Sequence, residues 1–367
     1  MSADPARGST VGVIGLGYGR AHIPAFQAQG CRVVAVCQRD RAAAKAVADR
    51  YGVPQVYEGW EEMLERARPE IVVIATPPHL HLPIALRALD GGAHVLCEKP
   101  LALTTAEARR MAQAAGRARR VAMTAFNWRF AAAMQELDAR VRAGALGRVF
   151  HLDARWLGGR WADETAAATW RMDRAQAGHG AMGDQGVHLV DMIRATFGEF
   201  VRVTAHAGLA YPARAAPGVG RPPDADDYCT VIGELASGAQ ATFTVSRAAH
   251  AMTEHTLEAY GARGALHYRL ARDGRRWWEG ELRLTEGGAG FQRVEPRAAP
   301  SPSVGEGDAF EIIGKATIAP LVARLLDGVR SGVTPAPSFA DGVRAQAVLD
   351  AVLEALGRRA WVEVEAG

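Results

Sequence analysis

The stretch Val11–Arg20 reads VGVIGLGYGR, an apolar run that leads directly into three closely spaced glycines. A helical pattern follows over Ala21–Gln29, ends at Gly30 and is succeeded by a second apolar run, Arg32–Cys37. A strand, a turn, a helix and a strand of these lengths are typical of a parallel crossover. Glycines in such a turn let the backbone bend sharply and approach a pyrophosphate at the helix N-terminus. The stretch therefore predicts a dinucleotide site.

The spacing of these glycines departs from the common pattern G-x-G-x-x-G. Gly15 and Gly17 fit the first two positions, which serve the tight turn and the close approach of the ligand. The third position is Arg20, and Gly19 arrives one residue early. Either the turn is one residue shorter or the helix packs against the strand differently. Tyr18 lies inside the turn and is expected to line the same site.

The alternation of strands and helices continues to about residue 125. Helical patterns cover residues 41–51, 82–90 and 105–118, and apolar strand-like runs cover residues 71–75, 94–97 and 121–125. Such alternation predicts a doubly wound parallel sheet, the Rossmann arrangement. We expect a dinucleotide-binding α/β domain over residues 1–125.

From Phe126 onward the pattern changes. Helices are predicted at 131–142 and 185–196, and strands at 149–156, 201–207, 229–234, 239–246, 255–260, 265–270 and 282–284. Successive strands without intervening helices predict a large open, mostly antiparallel sheet flanked by helices. Helices at 308–331 and 340–357 and a strand at 361–364 follow. We expect a substrate-binding α+β domain over residues 126–367, with helix 340–357 packed near the domain interface.

Composition places the 367-residue chain among ordinary globular proteins. Apolar residues make up 49% and charged residues 23%, which excludes a disordered chain, a collagen and a coiled coil. The net charge is only +3, and the arginines between Arg109 and Arg120 fall on one helical pattern. A solvated helix face explains these arginines better than a nucleic-acid site does. No nucleic-acid partner is expected.

Several features bear on the cellular compartment. No apolar segment reaches the roughly 18 residues that a membrane span needs, and the N-terminal MSADPARGST lacks the apolar core of a secretory signal. The cysteines show no C-x-x-C spacing and lie in or beside apolar runs, as buried thiols of a reducing compartment do. They are Cys31, Cys37, Cys97 and Cys229. These features predict a cytoplasmic protein without a membrane partner.

The end of the second strand bears on the choice of cofactor. NAD enzymes usually place Asp or Glu there, about 20 residues after the glycine turn, to bind the ribose hydroxyls. Here Gln38 occupies the acidic position and Arg39 follows it. A neutral amide does not repel a 2′-phosphate, and a guanidinium can pair with it or stack on the adenine. The alternative is that Arg39 is a surface residue and that Asp40 caps the next helix. We expect NADP(H) to be favoured over NAD(H).

Two further strand ends carry polar motifs. The strand at 71–75 runs into Thr76–His81 (TPPHLH), and the strand at 94–97 runs into Glu98–Pro100 (EKP). In an open parallel sheet, ligands bind at the carboxyl ends of the strands. A lysine held there between a carboxylate and a proline is poorly explained as a solubilising charge.

With these motifs the chain resembles the Gfo/Idh/MocA oxidoreductases, which include glucose–fructose oxidoreductase and inositol dehydrogenase. Besides the glycine turn, the resemblance rests on ATPxxxH at 75–81, GxHVxCEKP at 92–100, FNxRF at 126–130, GDxGxHxxD at 183–191 and SFxDG at 338–342. It covers nearly the whole chain. It implies hydride transfer between a nicotinamide and a secondary alcohol or ketone of a sugar, cyclitol or glycoside. The implied cofactor-binding residues are Gly15, Gly17, Tyr18, Gly19, Gln38, Arg39, Thr76, Pro77, His81, Glu98 and Lys99.

The resemblance also implies a catalytic set. Lys99 would lie beside the nicotinamide and touch the reacting hydroxyl, and Asp184 and His188 would come from one helix of the second domain. Their i, i+4 spacing puts both on the same helical face. An alcohol oxidation needs a base that titrates near the working pH, as histidine does. We assign His188 as general base, Lys99 as its hydroxyl-binding acid/base partner and Asp184 as the substrate-orienting carboxylate, although Lys99 and His188 could exchange roles.

Ordinary structural explanations exist for the same residues. His188 on an apolar helical face could be a satisfied core histidine, Asp184 could cap the helix at 185–196, and Glu98 could merely pair with Lys99. The EKP motif favours the catalytic interpretation. The remaining histidines of the first half show no consistent metal-ligand set, so no metal is expected.

Tryptophan and arginine alternate near the predicted pocket. Trp161, Trp170 and Arg171 lie in the long loop just before Asp184, and indole faces pack on sugar rings while guanidinium groups bind hydroxyls or carboxylates. We expect these three residues, together with Arg129, Lys99, Asp184 and His188, to bind substrate. Core packing is the alternative for Trp128 and Trp156. His179 stands where relatives usually carry glycine and could narrow the pocket.

Two other functions remain open at this point. One is a glycosidase of the same fold that uses bound NAD in a transient oxidation. The other is a non-catalytic dinucleotide-binding sensor, which would be free to lose Lys99 or His188 but here retains both. The resemblance also implies a homodimer or homotetramer paired through the open face of the second-domain sheet.

Overall fold

A computed structural model of the chain describes residues 8–215, 221–273, 276–297 and 307–366. The chain divides into two units, Met1–Phe130 with Ser301–Val343 and Ala131–Pro300 with Arg344–Gly367. Most of the N-terminal stretch from which the absence of a secretory signal was predicted lies outside the described residues.

The first unit is built on six parallel strands. They are β1 (Thr10–Ile14), β2 (Arg32–Cys37), β3 (Gln55–Tyr57), β4 (Ile71–Ile74), β5 (His94–Cys97) and β6 (Ala122–Thr124). Their order is β3-β2-β1-β4-β5-β6, which reverses direction between β1 and β4. All four residues of β4 are fully buried, as expected for a strand covered by helices on both faces. The doubly wound parallel sheet is confirmed, and its β1–β4 junction is the crevice where such folds bind ligands.

Helices connect these strands and end where the sequence allows. They are α1 (His22–Ala28), α2 (Arg41–Tyr51), α3 (Trp60–Arg66), α4 (His81–Asp90) and α5 (Thr105–Ala118). The Asp40 carboxylate accepts a hydrogen bond from the Ala43 N–H and caps α2, which ends at Gly52 in the left-handed region. The short elements β3 and α3 carry no strong periodic pattern and were not predicted.

The second unit holds a nine-stranded sheet. Its strands are β7 (Val149–Gly158), β8 (Phe200–Gly208), β9 (Tyr228–Leu235), β10 (Gln240–Ser246), β11 (Thr253–Gly261), β12 (Gly264–Ala271), β13 (Glu281–Glu286), β14 (Gln292–Val294) and β15 (Val362–Glu363). The order is β14-β13-β12-β11-β7-β10-β9-β8-β15, and every neighbouring pair except β7–β10 is antiparallel. The large, mostly antiparallel sheet flanked by helices is confirmed.

The later helices are α6 (Ala132–Arg142), α7 (Arg174–Ala177), α8 (Val187–Phe197), α9 (Ala309–Ile313), α10 (Ala319–Ser331) and α11 (Phe339–Arg358). Two of them follow a wide π-helical turn, Met182–Gly186 before α8 and Gly314–Ile318 before α10. The helix expected to start at residue 185 is therefore regular only from Val187.

Residues 301–343 were expected in the second domain but belong to the first unit. Contacts of the described part explain this. The Asn127 side-chain amide donates to the Thr317 hydroxyl at 2.7 Å, and a Cβ on Gly314 would lie 2.3 Å from the Ala21 carbonyl oxygen. Helix α11 starts in the first unit and continues into the second after residue 343. As a division between cofactor and substrate domains, the boundary at residues 125/126 stays a prediction.

Candidate active site

The three glycines of the turn between β1 and α1 differ in their surroundings and therefore in why glycine is needed. Gly15 has φ +87°, and a Cβ there would lie 2.5 Å from the Ala75 carbonyl oxygen. A Cβ on Gly19 would lie 3.0 Å from the Ala75 side chain, so Gly19 takes the packing position that Arg20 cannot fill. A Cβ on Gly17 would meet no atom of the described residues within 4 Å. The turn is one residue shorter than usual and leaves open space above Gly17.

The end of β2 lies against this turn. The Gln38 side-chain oxygen accepts a hydrogen bond from the Leu16 N–H at 3.2 Å. Arg39 is exposed and forms no ion pair with any residue that the structure describes. Asp40 is engaged as the cap of α2. Gln38 thus stabilises the turn, and the Arg39 guanidinium remains available to a ligand.

His81 braces the ends of β4 and β5. Its Nε2 lies 2.9 Å from the Thr76 carbonyl oxygen, and its Nδ1 lies 3.1 Å from that of Pro100. Burial lowers the pKa of His81, although the carbonyl partners favour its protonated form. The Thr76 hydroxyl is buried without a partner among the described residues. His81 is therefore placed to hold the two strand ends, and Thr76 offers a polar atom to a ligand.

A buried acid–histidine pair lies next to Lys99, which sequence reasoning missed. The His22 Nε2 lies 2.8 Å from the Glu98 Oε1, and both residues are buried. The other Glu98 oxygen accepts from the Lys99 N–H at 3.3 Å. Tyr18 packs edge-on to His22, with ring centroids 6.4 Å apart. Glu98 is held by His22 and by the Lys99 backbone, and the Lys99 side chain is half-buried.

Arg129 and Trp128 have partners inside the first unit. The Arg129 guanidinium lies 3.3 Å from the Asp341 carboxylate, and only 15% of its side chain is exposed. Trp128 is 3% exposed, in agreement with core packing. Asp341 also accepts from the Ser338 N–H and hydroxyl. This ion pair accounts for the Arg129 charge without a ligand, so its predicted substrate contact remains a prediction.

Asp184 and His188 lie on consecutive turns in the second unit. Asp184 falls inside the π-helical turn and His188 is the second residue of α8. The regular helix starts three residues after Asp184, and the N-cap positions of the π-helical turn and of α8 are Ala181 and Gly186, so Asp184 does not occupy the position that the capping alternative required. His188 is 5% exposed and stacks on the Trp156 indole, with ring centroids 5.3 Å apart and planes inclined by 21°.

The segment Ala225–Asp227 ties the predicted pocket loop to the Asp184 turn. The Asp226 carboxylate accepts from the backbone N–H groups of Gly180 and Met182 at 2.8 Å. A Cβ on Gly180 would overlap the Asp226 carbonyl oxygen, so this position must be glycine. Asp226 therefore fixes the start of the turn that presents Asp184. Its signal in the sequence was the acidic run at 224–227 between two strands.

Two buried arginines brace the same loop. The Arg247 guanidinium lies 2.9 Å from the Asp227 carboxylate and donates to the Arg171 carbonyl oxygen at 2.9 Å. Arg214 donates to the Trp161 carbonyl oxygen at 2.7 Å. The Arg171 guanidinium itself stacks over the Trp170 ring at 4.3 Å from its centroid. The backbone of the loop is thus held at Trp161 and Arg171, and the side chains of Trp161, Trp170 and Arg171 are half-buried; their contact with substrate stays a prediction.

His179 lies at the end of this loop. It is 2% exposed, neither ring nitrogen has a partner among the described residues, and burial lowers its pKa. All four cysteines are buried and unbonded. Within the described ranges, no group of three or more His, Cys, Asp and Glu side chains could hold a metal ion. None of the helices described there is long and apolar enough to cross a membrane.

A six-stranded parallel sheet with a glycine turn at its switch point, followed by a unit with a large mixed sheet, defines a dinucleotide-binding oxidoreductase. The chain belongs to the Gfo/Idh/MocA family. Residues 9–126 match its "Oxidoreductase family, NAD-binding Rossmann fold" part, and residues 134–267 match its "GFO/IDH/MocA C-terminal domain".

Similar proteins within this family carry the names of sugar dehydrogenases. Levoglucosan dehydrogenase of Pseudarthrobacter phenanthrenivorans is 29% identical over 96% of this chain and 97% of its own length. D-apiose dehydrogenase of Paraburkholderia graminis is 28% identical over 92% of this chain and 85% of its own. A solved levoglucosan dehydrogenase in complex with NADH and levoglucosan superposes with a TM-score of 0.88 at 28% identity, covering 98% of this chain and 100% of that chain.

Proposed function

We propose that this chain transfers a hydride between a nicotinamide cofactor, NADP(H) in preference to NAD(H), and a secondary alcohol or ketone of a sugar, cyclitol or glycoside. The observation that carries the proposal is the edge where β1, β4 and β5 end side by side. This edge bears the glycine turn, the unpartnered Thr76 hydroxyl and Lys99. The carbohydrate class is supported by the names of the relatives, levoglucosan and D-apiose dehydrogenases.

The residues of the first unit fit the dinucleotide. The space above Gly17 and the N-terminal end of the helical segment after it suit a pyrophosphate. We assign the cofactor contacts to the turn, to Gln38 and Arg39, and to Thr76, Pro77 and Lys99. His81 and Glu98 act there by holding the ends of β4 and β5. When bound, the nicotinamide would supply the hydride acceptor or donor.

In the oxidising direction the alcohol carbon loses a hydride and its hydroxyl loses a proton, which leaves a ketone. His188 accepts that proton, Lys99 donates a hydrogen bond to the same oxygen, and Asp184 orients a neighbouring hydroxyl. Trp161 and Trp170 pack on the C–H face of the ring. Arg171 binds further hydroxyls of the substrate. Arg129, predicted from the sequence to bind substrate, binds another. In the reducing direction the proton returns by the same route.

The test is the variant Lys99→Met, because general acid–base groups typically contribute 10²–10⁴-fold to turnover. We expect kcat on a panel of sugars, cyclitols and glycosides to fall by about 10²-fold or more, while calorimetry still detects cofactor binding. Lys45→Met is the matched control, because Lys45 is an exposed lysine of α2 paired with Asp49. Wild-type turnover in Lys99→Met would overturn the role of Lys99.

The preference for NADP(H) rests on Gln38 and Arg39. Gln38 stands in place of the carboxylate that usually binds the ribose hydroxyls, Asp40 is engaged as the cap of α2, and the exposed guanidinium of Arg39 can pair with a 2′-phosphate. Titration of the protein with NADPH and, separately, NADH measures the preference directly. Tighter binding of NADH would overturn it.

We also propose a cytoplasmic homodimer or homotetramer. Tyr228 and Ile232 are large apolar residues of β9 that remain 39% and 38% exposed four positions apart, on one face of the sheet. An open apolar sheet face of this kind suits pairing with a second copy. Ile232→Lys should shift the sedimentation coefficient toward the monomer, and a wild-type monomer at micromolar concentration would contradict the proposal.

A further inference from the structure

Three aromatic rings stack in sequence behind the proposed base. The His188 imidazole lies on one side of the Trp156 indole at 5.3 Å between centroids, and the His255 imidazole stacks on the same indole at 4.1 Å with planes 20° apart. The His255 Nε2 is 2.9 Å from the Tyr268 hydroxyl. The second unit thus contains a column of rings that starts at His188 and ends at Tyr268.

The fold makes this column a fixed element. Trp156 on β7 and His255 on β11 are directly opposite in the antiparallel register, where side chains of one face meet. Tyr268 lies on β12 diagonally across from His255. Helix α8 packs against β7 and brings His188 over the indole. Each ring therefore sits on a different element, and none can tilt without displacing the next.

The His255 imidazole contacts the indole as a neutral ring. Burial lowers the pKa of His255 to about 3, and burial raises the pKa of its partner Tyr268. His255 therefore stays neutral wherever the enzyme works. His188 lies in the first turn of α8, directly after the π-helical turn that holds Asp184.

Charged groups on the elements around His188 are exposed or paired. The inward residues of β7 alternate with exposed Asp153 and Arg155, so this strand presents no charged side chain beside Trp156. On α6, which packs against α8, the charges pair with one another, as do those at the end of α8. These pairs are Glu136–Arg140, Asp138–Arg142 and Arg194–Glu199. The carboxylates nearest to His188 along the chain are Asp184 and Asp191.

We propose that Trp156 is a positioning residue for His188, which it holds in plane and whose protonated form it stabilises through the negative face of the indole ring. The proposal rests on the proposed role of His188 as base. An imidazolium over an indole face is favoured as other cations are. The indole would support His188 at the step in which it accepts the hydroxyl proton, and His255 would support the indole from behind.

The experiment follows the titration of the His188 ring by NMR, with the signal assigned by its loss in His188→Asn. In Trp156→Leu the midpoint should fall by about one pH unit, because the cationic form loses its aromatic partner. The acidic limb of the pH profile of kcat/KM should also move to lower pH. In the same variant kcat should fall about tenfold, while the KM of the cofactor stays unchanged. Trp156→Phe should recover part of each effect.

Trp278→Leu serves as the control, because Trp278 is a half-buried tryptophan of the same unit whose indole N–H has no partner among the described residues. In Trp278→Leu the midpoint of the His188 titration should equal that in the wild-type protein. An unmoved midpoint in Trp156→Phe and in folded Trp156→Leu, checked by circular dichroism, would overturn the positioning role. Wild-type turnover in His188→Asn would instead overturn the proposed function of His188, which separates the two failures.

Discussion

At the scale of single residues, Arg39 should decide between the two nicotinamide cofactors. Arg39→Ala removes an exposed guanidinium that has no ion pair among the described residues, so stability should be unchanged. A charge-assisted hydrogen bond is worth about 1.5–3 kcal/mol, which corresponds to roughly 10–100-fold in affinity. We expect kcat/KM for NADP⁺ to fall by that factor and the value for NAD⁺ to change little.

Arg41→Ala is the matched control for this measurement. Arg41 is an exposed arginine two residues further on, and it pairs with Glu58 at 3.4 Å. Equal losses for NADP⁺ and NAD⁺ in Arg39→Ala, or an equal effect in Arg41→Ala, would show that Arg39 does not bind the 2′-phosphate.

Individual residues were predictable where a local pattern carries their role. The EKP motif and the i, i+4 pair of Asp184 and His188 could be found because short spacings are visible in one sequence. The His22–Glu98 pair and the stack of Trp156 on His255 join residues far apart in the chain. Only the strand order and register bring such partners together, and a single sequence does not give the register.

At the scale of elements, different substitutions in the glycine turn should affect protein stability and cofactor binding separately. Gly17→Ala adds a Cβ that meets no atom of the described residues within 4 Å, so the melting temperature should stay within about 2 °C of wild type. The same Cβ would occupy the space assigned to the pyrophosphate. We expect the Kd of the cofactor to rise about tenfold or more in calorimetry.

Gly15→Ala should behave in the opposite manner. Its Cβ would approach the Ala75 carbonyl oxygen to 2.5 Å at φ +87°, which strains the fold itself. This variant should unfold at a lower temperature than wild type. Unchanged cofactor affinity in Gly17→Ala would exclude the turn as the dinucleotide site.

Most elements could be predicted because buried parallel strands and amphipathic helices leave periodic patterns. The apolar run 71–74 and the glycine that ends α2 gave clear boundaries. The π-helical turn at Met182–Gly186 could not be predicted, because the Asp226 hydrogen bonds that hold its start join residues 44 and 46 positions apart in the chain. Elements β3 and α3 are short, and their stability comes from packing on the sheet.

At the scale of the whole molecule, buried histidines predict a loss of stability in acid. Burial lowers the pKa of His179 below the ordinary 6.5 and that of His255 to about 3. Below pH 6.5 the unfolded chain binds protons at these sites that the folded chain does not, so the free energy of unfolding falls as pH falls. Each site contributes a slope of up to about 1.4 kcal/mol per pH unit.

His179→Ala is the variant that tests this, because neither ring nitrogen of His179 has a partner among the described residues. Urea unfolding between pH 7 and pH 5 should give a shallower decline of the free energy of unfolding than in wild type. If the free energy of unfolding fell equally steeply with pH in both proteins, a neutral, buried His179 would be contradicted.

Residues 301–343 belong to the first unit although the chain reaches them only after most of the second unit, and this has a consequence for biosynthesis. Helix α1, which carries the buried residues Ile23 and Phe26, packs against α10, so α1 lacks this packing partner until the late segment has left the ribosome. At about 5–20 residues per second, translation from residue 130 to residue 343 takes roughly 10–40 s. Throughout that interval the nascent chain exposes apolar surface, and we expect it to depend on chaperones that shield nascent polypeptides.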